Sequence, residues 1–232
     1  MRRHGAIQSG GENFMHERIW TRIRGGMLLV GALAGVVVMA IHPNDIRDPL
    51  NGPLHFVYFF TSLLVVLGLA GAIDRLRGRA GAAAAAGFVA LSAFFAISEM
   101  GHSVLDATIV PLLRDNPATT DLVADDSWLA QSLFAGAFGT MQMVGMVLML
   151  AGVLLASIGT LVEGSYPRWP GALMLLVVPT AVLPFAQGPI GPALLYVALA
   201  GFGHAMLSGA GPEPIRFHLV RRRRAPGTRV VG

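Results

Sequence analysis

Long apolar stretches, about six of them, run through this chain with only short polar segments between. A soluble domain alternates apolar and polar positions, and about a quarter of its residues are charged. Here 13% are charged, and they gather in a few segments. Stretches of this kind suit a bilayer as solvent. Lipid offers no partner to a free backbone N–H or C=O, so each stretch must satisfy its own backbone as a helix. The expected fold is therefore all-α: a polytopic membrane protein built as a six-transmembrane-helix bundle.

The expected spans cover about 26–41, 53–73, 81–97 with an extension towards Pro111, 128–161, 171–186 and 192–210. The first is preceded by a long leader containing Glu12 and Glu17, so it reads as a retained helix and not a signal peptide. Residues 1–24 form a cytoplasmic N-terminal segment in which 13–24 has the pattern of an interfacial helix. Residues 25–212 form the transmembrane domain, with a long outer hairpin around 98–130, and 213–232 form a basic cytoplasmic tail. A helix covering 128–161 exceeds a hydrocarbon core of about 30 Å, so the third and fourth spans are expected to protrude on the outer side. The fifth is short and carries Pro179 and Pro184. Its link to the sixth, 187–191, is so brief that a re-entrant hairpin is the alternative.

The chain has no lysine, so arginine alone reports orientation. With both termini inside, every arginine except Arg47 and Arg114 lies on the inner side, while Asp45, Asp48, Asp115, Asp121, Asp125 and Asp126 lie outside. That asymmetry predicts an N-in/C-in arrangement in a bacterial cytoplasmic membrane. Arg221, Arg222, Arg223 and Arg224 follow the last span, where anionic lipid headgroups would meet them. The same clustering beside apolar stretches argues against nucleic acid as a partner.

Lipid gives helices no hydrophobic reason to associate, so small residues must let backbones approach. Gly31 and Gly35 have that spacing in the first span. Gly145, Gly152 and Gly159 recur every seven residues in the fourth, with Ala156 beside them, and predict a neighbour packed along that half. Gly201, Ala205 and Ser208 mark one side of the sixth. Met141, Met143, Met146 and Met149 spread around the fourth span and read as adaptable packing, not a copper stripe.

The absence of cysteine excludes thiolate metal sites, iron–sulfur clusters and thiol nucleophiles. Polar chemistry concentrates at the outer end of the third span. There Glu99, His102, Ser103 and Asp106 follow i, i+3, i+4, i+7 spacing and share one helical face. Glu-x-x-His is also the spacing by which one helix offers a carboxylate and an imidazole to a metal. In the six-span topology His42 ends the first span and His55 begins the second on that same side. His42, His55, Glu99 and His102 are thus the candidate metal ligands, suited to zinc, iron or manganese, while two opposed histidines would suit a haem iron. No cofactor is required by the sequence. Alternatively these are interfacial polar groups, with His55 capping its helix or bonding Asp48 and Glu99 accepting from Gln131. His204, inside the sixth span, is the remaining candidate, for a ligand or a proton, or else a neutral histidine bonded to a neighbouring helix.

Several strings have a familiar look: Asp48-Pro49-Leu50 with Pro53-Leu54-His55, Leu67-Gly68-Leu69-Ala70-Gly71, Val110-Pro111-Leu112, and Pro167-Arg168-Trp169-Pro170-Gly171. Together they resemble a broad set of six-helix bacterial membrane proteins of unassigned function, frequent in actinobacteria and related high-GC lineages. The resemblance implies six spans and a bacterial cell membrane, and implies no activity. Three functional readings follow. The first is a non-enzymatic membrane protein binding a small or lipid-like ligand in an outer-leaflet pocket lined by His55, Glu99, His102 and Asp106. The second is an accessory or scaffold subunit whose apolar faces meet partner subunits or further copies of itself. The third is a membrane oxidoreductase holding metal or haem through the outer histidines.

Overall fold

The computed structural model describes residues 5–43, 45, 47–123, 136–182 and 190–209, with side chains from 19 onward and without those of 137, 181 and 182. All regular structure among the described residues is helical. Helix α1 is Gly5–Ile41, α2 is Asn51–Ile73, and α3 is the continuous helical run Gly78–Arg114. A single 3₁₀ turn, Thr120–Val123, follows. Helix α4 is Ala137–Glu163, α5 is Arg168–Leu175, α6 is Val177–Val182 and α7 is Ile190–Ser208. Five of these are long and apolar enough to cross a membrane: α1 from Ile19, α2, α3, α4 from Phe138, and α7.

The expected interfacial helix is no separate element, because α1 runs unbroken from Gly5 through the first span. The outer part of the expected fourth span, 128–135, and the tail arginines Arg221, Arg222, Arg223 and Arg224 lie outside the described residues. The expected fifth span is broken at Leu176, between α5 and α6. Pro179 explains the break. It has no N–H to give the carbonyl of Leu175, and its ring crowds that carbonyl. The chain tightens there instead, with Leu176 N–H donating to Leu173 O at 3.1 Å.

Helix α3 carries two π turns, Phe95–Glu99 and Leu105–Ile109. In these turns Met100 N–H donates to Phe95 O, and Val110 N–H donates to Leu105 O. At 37 residues α3 is about 55 Å long, well beyond a hydrocarbon core of about 30 Å. Helix α4 ends at Gly164, whose φ of +79° is the left-handed conformation that glycine adopts without strain.

The tightest pairings are α3 with α4 and α1 with both α2 and α7. Glycine makes them possible. On α4, Gly145 lies against Ser98, Gly152 against Leu91 and the carbonyl of Gly87, and Gly159 against Ala84. The seven-residue glycine line therefore meets α3 along its length. On α1, Gly31 lies against Thr61 and Leu64 of α2, and Gly35 against the ring of Tyr196 on α7. Gly203 of α7 meets Leu29 of α1, and Gly201 meets Trp169. Ser208 is exposed, so the small-residue side of the last helix stops short of its end.

The bundle's outer faces are apolar. Val30, Leu33 and Val37 on α1, Phe56 and Phe60 on α2, and Val147 and Val162 on α4 are all exposed. Continuous apolar faces of this kind are rare on soluble monomers and suit contact with lipid. Met143 and Met146 belong to this surface, whereas Met149 packs against the core.

The two ends of the bundle differ in chemistry. One is an arginine end. There Arg24 pairs with Asp74 at 2.7 Å, Arg77 N–H donates to Glu163 at 3.0 Å, and Arg75 donates to Ala205 O at 2.9 Å. Tyr166 donates to Ala72 O at 2.8 Å, with the Arg75 guanidinium 4.9 Å from its ring centre. The other is a histidine end, where the α1–α2 loop meets the far part of α3.

Candidate metal centre

The histidine end is assembled by three segments. The chain leaves α1 at His42, and an Asp48 turn starts α2: Asp48 Oδ1 accepts from Leu50 N–H at 2.8 Å and Asp48 O from Asn51 N–H at 2.9 Å. Arg114, at the end of α3, donates to Asp48 O at 3.2 Å and ties that turn to α3. His55 then lies one turn into α2, 4% exposed, beside Asp106 of α3, also 4% exposed.

The polar atoms converge. Asp106 Oδ2 stands 2.8 Å from His102 Nε2 and 3.2 Å from His55 Nε2. One ligand atom from each of His55, His102 and Asp106 falls within 4.8 Å of the others. His42 Nε2 stands 3.4 Å from His55 Nε2. The rings of His42 and His55 meet edge-on at 4.8 Å, and those of His55 and His102 at 5.1 Å. His102 is half-exposed and gives the cluster an opening, with Phe138 of α4 at 6.0 Å from its ring.

Backbone contacts fix which nitrogen of each ring is free. His55 Nδ1 lies 2.9 Å from Asn51 O, and His42 Nδ1 lies 2.7 Å from Pro43 O. A carbonyl only accepts, so both Nδ1 atoms carry the hydrogen, and in a neutral ring Nε2 then presents a lone pair. The Nε2 atoms of His42 and His55 thus stand 3.4 Å apart, and that of His55 lies 3.2 Å from Asp106 Oδ2, which His102 Nε2 also approaches at 2.8 Å. Metal-bound histidines are oriented in this way, with the second nitrogen held by a carbonyl or carboxylate. Ligands about 2.0–2.1 Å from a tetrahedral ion stand about 3.3 Å apart. The 3.2 Å and 3.4 Å separations match that edge, while the 2.8 Å between His102 and Asp106 is shorter and would have to open to admit an ion. Among the described residues, the buried side-chain Nδ2 of Asn51 and Oγ of Ser103 have no hydrogen-bond partner.

Glu99 is placed differently. Its Oε2 accepts from Tyr58 at 2.5 Å, and the Tyr58 hydroxyl accepts from Tyr196 at 2.7 Å. It lies one turn further into the bundle than His102 and outside the group that shares Asp106. His55 does not bond Asp48: its Nδ1 donates to Asn51 O within its own helix, and its Nε2 faces His42 and Asp106. Gln131 lies outside the described residues. His204 is not brought to the cluster. It is exposed near the end of α7, one residue from the Ala205 carbonyl that Arg75 holds at the arginine end.

Tyr58, Tyr196 and Asn51 join this region without a motif in the sequence that marks them. The chain has 3 tyrosines, and all are buried with bonded hydroxyls. A phenol in an apolar span must find a partner. That is the signal by which Tyr58, three residues beyond His55, was recognisable. Compared with protein-family models, curated proteins and solved structures, the chain matches none.

Proposed function

We propose that this chain is an integral membrane protein that binds one divalent transition-metal ion at the outer end of its bundle, through His55, His102 and Asp106 with His42 as the fourth donor. The observation that carries the reading is the pair of histidines whose Nδ1 atoms are both committed to backbone carbonyls, leaving their Nε2 atoms facing each other and that of His55 facing Asp106. Filling that space with protons would set like-charged imidazolium rings about 5 Å apart beside a single carboxylate, at a site of low dielectric. One dication satisfies all the donors at once. Imidazole with carboxylate suits zinc, iron or manganese.

The same proposal gives the chain six crossings, with both termini inside a bacterial cytoplasmic membrane. Helices α5 and α6 belong to the crossing that the five long helices leave over. The support is the arginine distribution: among the described residues Arg24, Arg75, Arg77, Arg79 and Arg168 fall at one end, and only Arg47 and Arg114 at the other.

The test is metal stoichiometry. Protein purified in detergent, stripped with chelator and equilibrated with Zn²⁺ is expected to hold one ion per chain by elemental analysis. His55→Ala and Asp106→Ala are expected to hold none at the same free Zn²⁺. Wild-type protein that takes up no stoichiometric ion overturns the reading.

A further inference from the structure

Resting on that metal reading, we infer that Tyr58 and Glu99 form a positioning rung that sets the α2–α3 spacing for the ligands, and that Glu99 is not itself a ligand. The geometry is a short ladder. His55 and Tyr58 lie three residues apart on α2, and Glu99 and His102 lie three residues apart on α3, so each pair stacks on one helix face. One rung is His55–Asp106–His102, at 3.2 Å and 2.8 Å. The next is Tyr58 to Glu99, at 2.5 Å. Tyr196 of α7 donates to the Tyr58 hydroxyl at 2.7 Å and so leaves Tyr58 its own hydrogen for Glu99. The phenols are 7% and 1% exposed, and Gly35 of α1 leaves room for the Tyr196 ring.

The local helix geometry serves the same arrangement. Glu99 closes the first π turn, and Asp106 lies in the second. Turns of this kind recur at functional sites, where they re-aim side chains. A charged or strongly polar Glu99 in an apolar span needs a partner, and among the described residues Tyr58 donates to it. The bond therefore holds α2 and α3 at one separation, one turn from donors that must meet an ion to within a few tenths of an ångström.

The experiment is Co²⁺ binding to detergent-purified, chelator-stripped protein, read by affinity and by the visible ligand-field spectrum. Tyr58→Phe is expected to retain one site but bind about 10–100-fold more weakly, with an altered spectrum. Glu99→Gln keeps an acceptor for the Tyr58 hydroxyl and is expected to bind within a few-fold of wild type with the same spectrum. Should Tyr58→Phe not fold, Tyr58→Phe combined with Glu99→Leu removes both partners without leaving a buried carboxylate, and the same weakening is expected. Wild-type spectrum and affinity in both Tyr58 variants overturn the inference while leaving the metal site standing. Loss of the site in Glu99→Gln overturns it too, by making Glu99 a ligand. Absence of Co²⁺ uptake by wild type removes the metal reading and the rung's role with it.

Discussion

His42 and His55 face each other with Nε2 atoms 3.4 Å apart, although thirteen residues and a change of helix separate them. Neither ring is free to turn away. Each is held at Nδ1 by a main-chain carbonyl, one belonging to Pro43 and the other to Asn51. The loop between α1 and α2 is therefore part of the site as well as its connection. His42 is the donor attached most loosely, since it follows the last residue of α1 while the others sit within helices. His42→Ala is expected to leave a three-donor site, with Zn²⁺ bound more weakly but still one ion per chain at saturation. Asp106→Ala, by contrast, removes the oxygen that both His55 and His102 approach. Equilibrium dialysis against a series of free Zn²⁺ concentrations separates the two outcomes.

The α3–α4 seam depends on backbone approach. A Cβ at Gly152 would lie 2.9 Å from Gly87 O and 3.0 Å from Leu91 N, and backbone atoms of a packed helix do not yield as the tip of a flexible side chain does. Gly152→Val is expected to destabilise the detergent-solubilised protein by about 1–3 kcal/mol through overpacking. Val147→Leu, on the exposed apolar face of the same helix, is expected to stay within about 0.5 kcal/mol. Thermal unfolding of the two variants beside wild type makes the comparison. Equal melting would mean that the seam is not close-packed.

The sequence made the helical, lipid-suited character of the chain legible because lipid imposes one rule on every apolar segment. The glycine line on α4 was legible as a contact surface, but its partner was not, since which helix lies opposite is a tertiary matter. Pro179 was visible in the fifth stretch, yet the position of the break at Leu176, between α5 and α6, is set by the local fold and not by the proline alone. At the site, the shared face of His102 and Asp106 followed from helical spacing. The π turns did not, because no residue pattern announces a five-residue hydrogen bond. They separate the roles of Glu99 and Asp106, which spacing alone had put on one face. His204 illustrates the converse failure. Hydropathy puts it inside the sixth span, but a place in an apolar stretch does not say where the neighbouring helices end, and His204 is exposed.

Arg114 and Asp115 offer a test of surface electrostatics beside the site. The Arg114 guanidinium donates from Nε to Asp115 Oδ1 at 2.7 Å, and that hydrogen bond holds the Asp115 carboxyl below its ordinary value of 3.8. A carboxylate whose folded value is depressed adds stability that is fully present above the unfolded value and fades as pH falls through the folded one. Wild type is therefore expected to exceed Asp115→Asn slightly in stability near neutral pH, with the gap closing in acid below 3.8. Asp115 is exposed and Arg114 only partly covered, so raising the salt concentration is expected to shrink the gap as well. Chemical unfolding of the two proteins at neutral and acid pH measures it. A gap that persists in acid would assign the effect to something other than this pair.

The orientation can be tested cleanly because the chain contains no cysteine. Any single cysteine introduced is then the only site for a thiol reagent. Ala118 is exposed in the turn after α3, at the histidine end, and Arg79 is exposed at the start of α3, at the arginine end. One helix, α3, joins the two positions, so they must lie on opposite faces of the membrane if α3 crosses it. With arginines retained inside, Ala118→Cys is expected to react with a membrane-impermeant maleimide in intact cells. Arg79→Cys is expected to react only after permeabilisation, since Arg24, Arg75 and Arg77 still mark its side. The reverse labelling pattern would turn the histidine end towards the cytoplasm. The proposed ion would then come from the cytoplasmic pool, and the arginine asymmetry would have failed as the guide to this bundle's direction. Labelling of both positions in intact cells would mean that α3 does not span the bilayer at all.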